Sequence, residues 1–155
     1  MNVFLSYSRQ DNDVAETVFG ALVSAGFDVF MDRYNLPPGE EYNNRILEAI
    51  ETADCFVFLA SENSLRPGAY TLSELSFAVS RWQNPSGRVL PVIINDLDPS
   101  RLPGYIASIT ALRPTGNVAV EIVAALKDLA RQGTHALPGL LGLQERFKQW
   151  ARISV

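Results

Sequence analysis

Short apolar runs alternate along this chain with longer segments that have the periodicity of a helix. The apolar runs fall at residues 2–6, 27–31, 55–60, 88–95 and 109–112. Strands that alternate with helices are joined by right-handed crossovers, which make the strands parallel and place helices on both faces of the sheet. The alternation therefore predicts an α/β fold, a flavodoxin-like three-layer sandwich with a five-stranded parallel sheet.

The intervening segments carry helix signals of their own. A first helix is predicted to begin near Asp11 or Asp13, where Asp13 and Glu16 have the spacing of a capping box, and to end at Gly26. A second is predicted up to residue 53, after a loop that contains Pro-Pro-Gly, and a last one over residues 117–130. A third, over residues 67–82, is described below.

The composition limits the classes of function. The chain has 155 residues, 47% hydrophobic and 19% charged, which is typical of one soluble globular domain. Its net charge of -4 argues against nucleic-acid binding, which needs clustered Lys and Arg. No apolar run approaches the roughly 20 residues that span a bilayer, and the N-terminus lacks the basic start of a signal peptide. Cys55 and His135 are single, so we expect a cytoplasmic, metal-free protein.

Residues 133–155 have a different pattern from the rest. Pro138 and Gly139 interrupt the last helical segment, and Leu143, Phe147 and Trp150 have the spacing of a short amphipathic stretch. We therefore divide the chain into a domain at residues 1–132 and a C-terminal segment at 133–155. That segment is either an extension that packs back on the domain or, as we favour, a linker to a domain absent from this chain.

Residues 67–82 are the most informative stretch for function. A Pro-Gly turn opens it, and Leu75, Val79 and Trp82 predict the buried stripe of a helix. Tyr70 and Glu74 are four residues apart, which places an aromatic ring and a carboxylate on one face at the helix entrance. Such a pair fits a flat, polar ligand, but a single helix glutamate is more often simply solvated.

The ends of the predicted strands are rich in hydroxyl and charged groups. Ligands of open α/β sheets bind outside the carboxyl ends of the strands, which here brings the following side chains to one crevice: Tyr7, Arg9, Asp32, Tyr70 and Glu74. Structural roles are open for some of these positions. Ser8 can cap a helix, Arg9 can be solvated, and Asp32 can pair with Arg33.

Several common α/β functions lack their residues here. The loop after the first strand has no glycine, which excludes a Rossmann dinucleotide site, and the sequence has no Gly-Lys-Ser/Thr phosphate loop. A phospho-accepting receiver needs an Asp after its third strand and a Lys after its fifth, where this chain has Ser61 and Arg113. Ser-His-Asp catalysis would have to use His135 in the tail, which disfavours it.

A single carboxylate limits the reaction that Glu74 can support. Ordinary glycoside hydrolysis uses two carboxyl groups, one of which protonates the leaving oxygen. Nicotinamide leaves NAD+ as a neutral molecule and needs no acid. One glutamate can then act as electrostatic stabiliser, as an anchor for ribose hydroxyls or as a transient nucleophile, and these three roles stay open.

Three segments in order resemble the Toll/interleukin-1 receptor (TIR) domain, over about residues 1–132. Residues 4–8, Phe-Leu-Ser-Tyr-Ser, resemble the first box of the family. Residues 32–40 resemble its second box, the BB loop. Residues 61–75 resemble the stretch in which NAD-cleaving members carry their catalytic glutamate. Each segment alone is a weak signal, but the three together are specific.

The resemblance, which is to bacterial NAD-cleaving TIR domains, implies an activity and roles for residues. It implies an NAD+ glycohydrolase or cyclase, with NAD+ as substrate and no cofactor. Glu74 would be catalytic, and Tyr70 stands where many members have a Trp near the nicotinamide. The remaining residues that the resemblance assigns to substrate binding are Tyr7, Ser8, Arg9, Asp32 and Arg33.

The resemblance also implies partners. Members of the family often complete their sites with the BB loop of a neighbouring subunit, which implies self-association through residues 32–41. By analogy with bacterial members, the resemblance also implies a role in anti-phage defence with a fused or separate sensor domain. Two other functions stay open. Many TIR domains are non-enzymatic adaptors that signal by TIR–TIR assembly, and nucleoside deoxyribosyl transfer uses a related sheet with a nucleophilic glutamate. Of the three functions, we favour the NAD+-cleaving enzyme.

Overall fold

A parallel sheet lies at the centre of the structure, a computed structural model that describes residues 1–32 and 39–136, with side chains to residue 131. Within those residues the sheet has four strands: β1 (Asn2–Ser6), β2 (Asp28–Phe30), β3 (Cys55–Ala60) and β4 (Val89–Ile93). Their order across the sheet is β2-β1-β3-β4, and every neighbouring pair is parallel. This is the order of a flavodoxin-like sheet, so the predicted α/β class and parallel strands are confirmed.

The fifth strand predicted at residues 109–112 is wrong. In the described chain, this segment joins β4 only through a single bridge at Leu112. The Leu112 amide donates to the Pro91 carbonyl at 2.8 Å, and the Ile93 amide donates to the Leu112 carbonyl at 2.9 Å. The next pair toward the N-terminus would need an N–H on Pro91, and the next toward the C-terminus would need one on Pro114. Because proline has no N–H, the ladder ends on both sides of the bridge.

The part of the chain that the structure describes has five α-helices. They are α1 (Asn12–Ser24), α2 (Glu40–Thr52), α3 (Tyr70–Arg81), α4 (Gly104–Ala107) and α5 (Val118–Ala136). The short α4 was not predicted, whereas the other four match predicted helices to within a few residues at most ends. At Gly26, φ is 97°, which confirms the left-handed residue predicted after α1.

The predicted domain boundary at residue 132 falls within α5, which continues past its predicted end at residue 130 to Ala136. Residues 137–155, most of the predicted C-terminal segment, lie outside the described residues. The division into a domain and an extension or linker therefore stays a prediction. Among the described helices, none combines the length and the apolar character that crossing a membrane requires.

Helices cover both faces of the sheet, which gives the predicted three layers. On one face, α1 and α5 pack over a core that includes Leu5 and Val57. On the other face, α2 and α3 pack over Phe4 and Phe56, whose rings stack with centroids 5.2 Å apart. Neighbouring residues of one strand thus serve opposite cores. All residues of β3 are buried, as predicted for a strand covered on both faces.

The buried side of α3 differs from the predicted stripe at one residue. Leu75 and Trp82 are buried as predicted, but Val79 is 39% exposed and Ala78 is buried instead. With Ala78 in place of Val79, the buried positions recur at the three- and four-residue spacing of a helix face, and Glu74 belongs to them. The alternative of a solvated helix glutamate is therefore excluded.

Candidate active site

A cavity of about 330 Å³ opens at the carboxyl end of the sheet. Its walls come from the segments that follow β1, β2 and β3 and from the first turns of α3. Strands β1 and β3 are neighbours although β2 lies between them in sequence, so the connections diverge at this point. Open α/β sheets bind their ligands at such a switch point.

Six of the seven predicted site residues line this cavity: Tyr7, Ser8, Arg9, Asp32, Tyr70 and Glu74. The sequence therefore predicted correctly which strand ends meet. The seventh, Arg33, lies outside the described residues, as does most of the loop at residues 32–41. The roles assigned to these residues stay predictions.

Glu74 is the buried carboxylate of the cavity, with 6% of its surface exposed. Ser6 Oγ donates a hydrogen bond to Glu74 Oε1 at 2.7 Å, and the Tyr42 hydroxyl donates to Oε2 at 3.0 Å. Ser6 ends β1 and Tyr42 lies in the first turn of α2, so two other elements hold the carboxylate of α3 in place. Each carboxylate oxygen keeps a further lone pair for a ligand.

Burial raises the pKa of the Glu74 carboxyl from 4.5 to about 7. The hydrogen bonds from Ser6 and Tyr42 lower this pKa because they favour the ionised form, and the negative charge of Asp32 raises it. Near neutral pH, Glu74 is therefore populated in both protonation states. A group with that property in a cavity is suited to electrostatic or acid–base chemistry.

Two tyrosine rings lie beside this carboxylate. The ring centroids of Tyr42 and Tyr70 are 5.1 Å apart, and their planes are inclined by 37°. Tyr42 is buried, and burial together with the nearby Glu74 raises the pKa of its hydroxyl well above the usual value. The hydroxyl therefore keeps its proton and stays a donor to Glu74. Tyr70, half-buried and supported by the Tyr42 ring, gives the cavity an aromatic wall.

Asp32 is held by Tyr7, which follows β1, and by Arg45 of α2. The Tyr7 hydroxyl donates to the Asp32 backbone carbonyl at 2.8 Å. Arg45 of α2 places its Nε 3.9 Å from Asp32 Oδ1, and its guanidinium lies over the Phe30 ring at 5.5 Å. The predicted alternative pair with Arg33 is not tested, but Arg45 is an ion-pair partner in the described chain.

Three residues of this site are not among the predicted site residues: Ser6, Tyr42 and Arg66. The sequence predicts Ser6 only as the end of a strand and Tyr42 only as part of the second helix. The signal for Ser6 was its position, because the last residue of a strand at the switch point is placed to contact the ligand crevice. Arg66, in the loop before α3, also lines the cavity, and nothing in its local sequence indicated this.

Neither a cluster of metal ligands nor a reactive thiol is found in the part of the chain that the structure describes. No group of three or more His, Cys, Asp or Glu side chains is arranged there to hold a metal ion. Cys55 is buried, and burial raises the pKa of its thiol to about 12, so it stays a protonated core residue. The described cavity therefore offers carboxylates, hydroxyls, aromatic rings and arginines.

These features define a flavodoxin-like domain whose switch-point cavity holds one buried glutamate between hydroxyl donors. The sequence model of the TIR domain family matches residues 3–131. The chain belongs to the TIR domain family, and the resemblance noted in the sequence is confirmed. No curated protein matches the chain.

Solved structures have a similar fold. The TIR domain of the Toll-related receptor TRR-2 from Hydra magnipapillata is 18% identical, with a TM-score of 0.63 over 83% of this chain and 97% of that one. The TIR domains of the activated Roq1 resistosome are 29% identical, with a TM-score of 0.54 over 64% of this chain and 60% of that one. The CMP N-glycosidase BcmB of Clostridium botulinum is 19% identical, with a TM-score of 0.51 over 82% of this chain and 98% of that one.

Proposed function

We propose that this TIR domain is an NAD+ glycohydrolase that cleaves the bond between nicotinamide and ribose. The observation that carries the proposal is the Glu74 carboxylate, buried in the cavity and held on both oxygens by Ser6 and Tyr42. A fixed anion in a water-poor site stabilises positive charge that develops on a bound substrate. The ribosyl centre of NAD+ develops such a charge as nicotinamide departs.

The reaction balances without a second acid. The bond between C1′ of the ribose and the pyridinium nitrogen breaks, and its electron pair stays on that nitrogen, so nicotinamide leaves as a neutral molecule. The ribosyl carbon becomes oxocarbenium-like and is stabilised by ionised Glu74. A water molecule then attacks C1′ and transfers its proton to the carboxylate, which gives ADP-ribose. In a cyclase reaction, a nucleophilic atom of the ADP-ribosyl group itself attacks C1′ in place of water.

The aromatic wall supports the same assignment. Nicotinamide is a flat ring, and Tyr70 offers a ring face in the cavity within one helical turn of Glu74. The Tyr42 ring packs on Tyr70, which restricts its movement. Many family members have a Trp at the position of Tyr70. Tyr70 keeps an aromatic surface there, but its ring face is smaller than that of Trp.

We further propose that self-association through residues 32–41 activates the enzyme, in bacterial anti-phage defence and downstream of a fused or separate sensor. The Roq1 structure is an assembly that contains TIR domains, which supports self-association by analogy. Within this chain, α2 begins at Glu40, inside the last two residues of that segment, and its residue Tyr42 holds Glu74. A contact made by the partner through this segment would thus act only two residues of helix away from the side chain that holds the carboxylate.

The test is product analysis with purified protein at high concentration. We expect nicotinamide and ADP-ribose, or its cyclic form, from NAD+. Glu74→Gln should lower turnover roughly 100-fold or more, as for removal of one stabilising group from a transition state. Arg101→Ala, which removes an exposed ion pair with Glu62, is the matched control and should leave turnover unchanged. No release by either the wild type or Arg101→Ala, with crowding included, would favour the adaptor function instead.

A second candidate is cleavage of a pyrimidine nucleotide, favoured by the similarity to a CMP N-glycosidase over almost the whole of that protein. Cytosine, unlike nicotinamide, needs a proton in order to leave as a neutral base. Glu74, with a pKa of about 7, can supply that proton in its acid form. The two reactions therefore have opposite pH dependence: NAD+ cleavage needs ionised Glu74 and rises with pH, whereas CMP cleavage needs protonated Glu74 and falls.

A further inference from the structure

A buried aspartate joins three loops at the carboxyl end of the sheet, two of which line the cavity. Asp11 is 4% exposed, and its carboxylate accepts hydrogen bonds from two segments distant in sequence. Ser61 Oγ donates to Oδ2 at 2.6 Å, while Asn63 Nδ2 and Asn95 Nδ2 donate to Oδ1 at 3.3 and 3.1 Å. Asp11 follows β1, Ser61 and Asn63 follow β3, and Asn95 follows β4. The network thus fixes the loops at the carboxyl end of the sheet against one another.

The network ends on an arginine of the cavity. The amide nitrogen of Asn63 is bound to Asp11, which directs its carbonyl oxygen to a different neighbour. That oxygen accepts a hydrogen bond from Arg66 Nη2 at 3.0 Å. Arg66 is exposed, yet this chain of contacts ties its guanidinium to a buried carboxylate.

The charge of Arg66 has no anionic partner in the described chain. Arg45, Arg101 and Arg131 are among the arginines that form ion pairs there, whereas neither Arg66 nor Arg9 takes part in one. Both line the cavity, which Glu74 and Asp32 also line. A guanidinium has several N–H donors in a plane, and Asn63 takes one of them, so Arg66 retains donors for a phosphate.

We propose that Arg66 binds a phosphate group of the substrate and that Asp11 positions it through Asn63. The proposal rests on the proposed function for the identity of the substrate, a dinucleotide with a pyrophosphate. Arg66 is then a binding residue in the cavity wall, and Asp11 and Asn63 are positioning residues. The network, anchored on the buried Asp11, restricts a flexible surface side chain, which reduces the entropy lost on binding.

The first experiment compares NAD+ with nicotinamide riboside, which has the same scissile bond and no phosphate. Arg66→Ala should raise KM for NAD+ about tenfold, the effect of losing one charge-assisted hydrogen bond, with kcat unchanged. It should not change KM for nicotinamide riboside. Arg66→Lys, which keeps the charge, should recover part of the loss, and Arg101→Ala controls for net charge. An equal KM for NAD+ in wild type and Arg66→Ala would overturn the proposal.

The second experiment measures binding without turnover. Calorimetric titration with ADP-ribose should give a Kd about tenfold weaker for Arg66→Ala than for wild type, for the same reason. If NAD+ is not cleaved but this difference is found, the phosphate site stands and the proposed reaction fails. If NAD+ is cleaved and the two Kd values agree, the reaction stands and the phosphate site fails. Absence of ADP-ribose binding by the wild type would also overturn the site.

A double-mutant cycle tests the positioning role. Asn63→Ala should raise KM for NAD+ in the wild-type background and should have almost no effect when Arg66 is already Ala. If Asp11→Asn folds, it should likewise raise KM for NAD+ only when Arg66 is present. If Asp11→Asn does not fold, Asn63→Ala alone tests the positioning role. Additive effects of Asn63→Ala and Arg66→Ala would show that Asn63 supports the loop generally and does not position Arg66.

Discussion

The Tyr42 hydroxyl donates a hydrogen bond of 3.0 Å to Glu74 Oε2, and the ring of the same tyrosine lies 5.1 Å from that of Tyr70. One buried side chain of α2 thus supports both the carboxylate and the aromatic wall of the cavity. Since α2 starts at Glu40, the position of its first turn bears directly on the geometry at Glu74.

The free energy of unfolding should decrease with rising pH because ionised Glu74 is unfavourable in its buried position. Its folded pKa of about 7 exceeds the value of 4.5 for an exposed glutamate, so the folded state binds the proton more tightly than the unfolded state. Stability is then lost as the pH rises from about 4.5 through 7. Glu74→Gln has no such dependence, and its amide can still bond both hydroxyls. The variant should gain about 3 kcal/mol relative to wild type between pH 4.5 and pH 8.

Denaturant unfolding of both proteins at several pH values measures this gain. A free-energy difference between Glu74→Gln and wild type that stays constant with pH would contradict the raised pKa. If the stability of Glu74→Gln relative to wild type instead decreases with rising pH, ionised Glu74 is stabilising.

The pH dependence of kcat/KM for NAD+ should follow the titration of Glu74. We expect the rate to rise with pH with a midpoint near 7, because the ionised carboxylate is the active form. Tyr42→Phe and Ser6→Ala each remove a hydrogen bond that lowers the pKa of Glu74, so each should move the midpoint to higher pH. Tyr105→Phe removes a hydroxyl bonded to the Trp82 carbonyl, outside the cavity, and should leave the midpoint in place. A midpoint that is the same in wild type and Tyr42→Phe would contradict this account.

Tyr70 should act through its ring. Tyr70→Ala should raise KM for NAD+ about tenfold, the magnitude of one lost stacking contact between a base and an aromatic side chain. Tyr70→Phe and Tyr70→Trp keep a ring face and should stay close to wild type. Steady-state kinetics of the three variants decide this, and equal KM values for Tyr70→Ala and Tyr70→Phe would show that the ring does not contact the substrate.

The parts of the fold that depend on local pattern could be predicted from the sequence. β1 and β3 have the predicted bounds because a continuous apolar run bounded by polar residues leaves little choice of where the strand begins and ends. The meeting of Tyr7, Asp32 and Tyr70 at one cavity followed from the general rule on strand ends.

The parts that failed depend on pairing between distant segments. Residues 109–112 have a strand-like composition, but the hydrogen bonds that would extend the strand fall on Pro91 and Pro114, which only the register reveals. The contact from Ser6 to Glu74 spans 68 residues, and Tyr42 resembled any apolar residue of an amphipathic helix. Val79 and Ala78 are adjacent, and the choice between them depends on the rotation of α3 against the sheet.

The most direct test of the central claim is nicotinamide release from NAD+, measured over a wide range of protein concentration for wild type and Glu74→Gln side by side. We expect specific activity that rises steeply with wild-type concentration, because assembly completes the site, and almost no release by Glu74→Gln at any concentration. Equal release by the two proteins would contradict a catalytic role of Glu74.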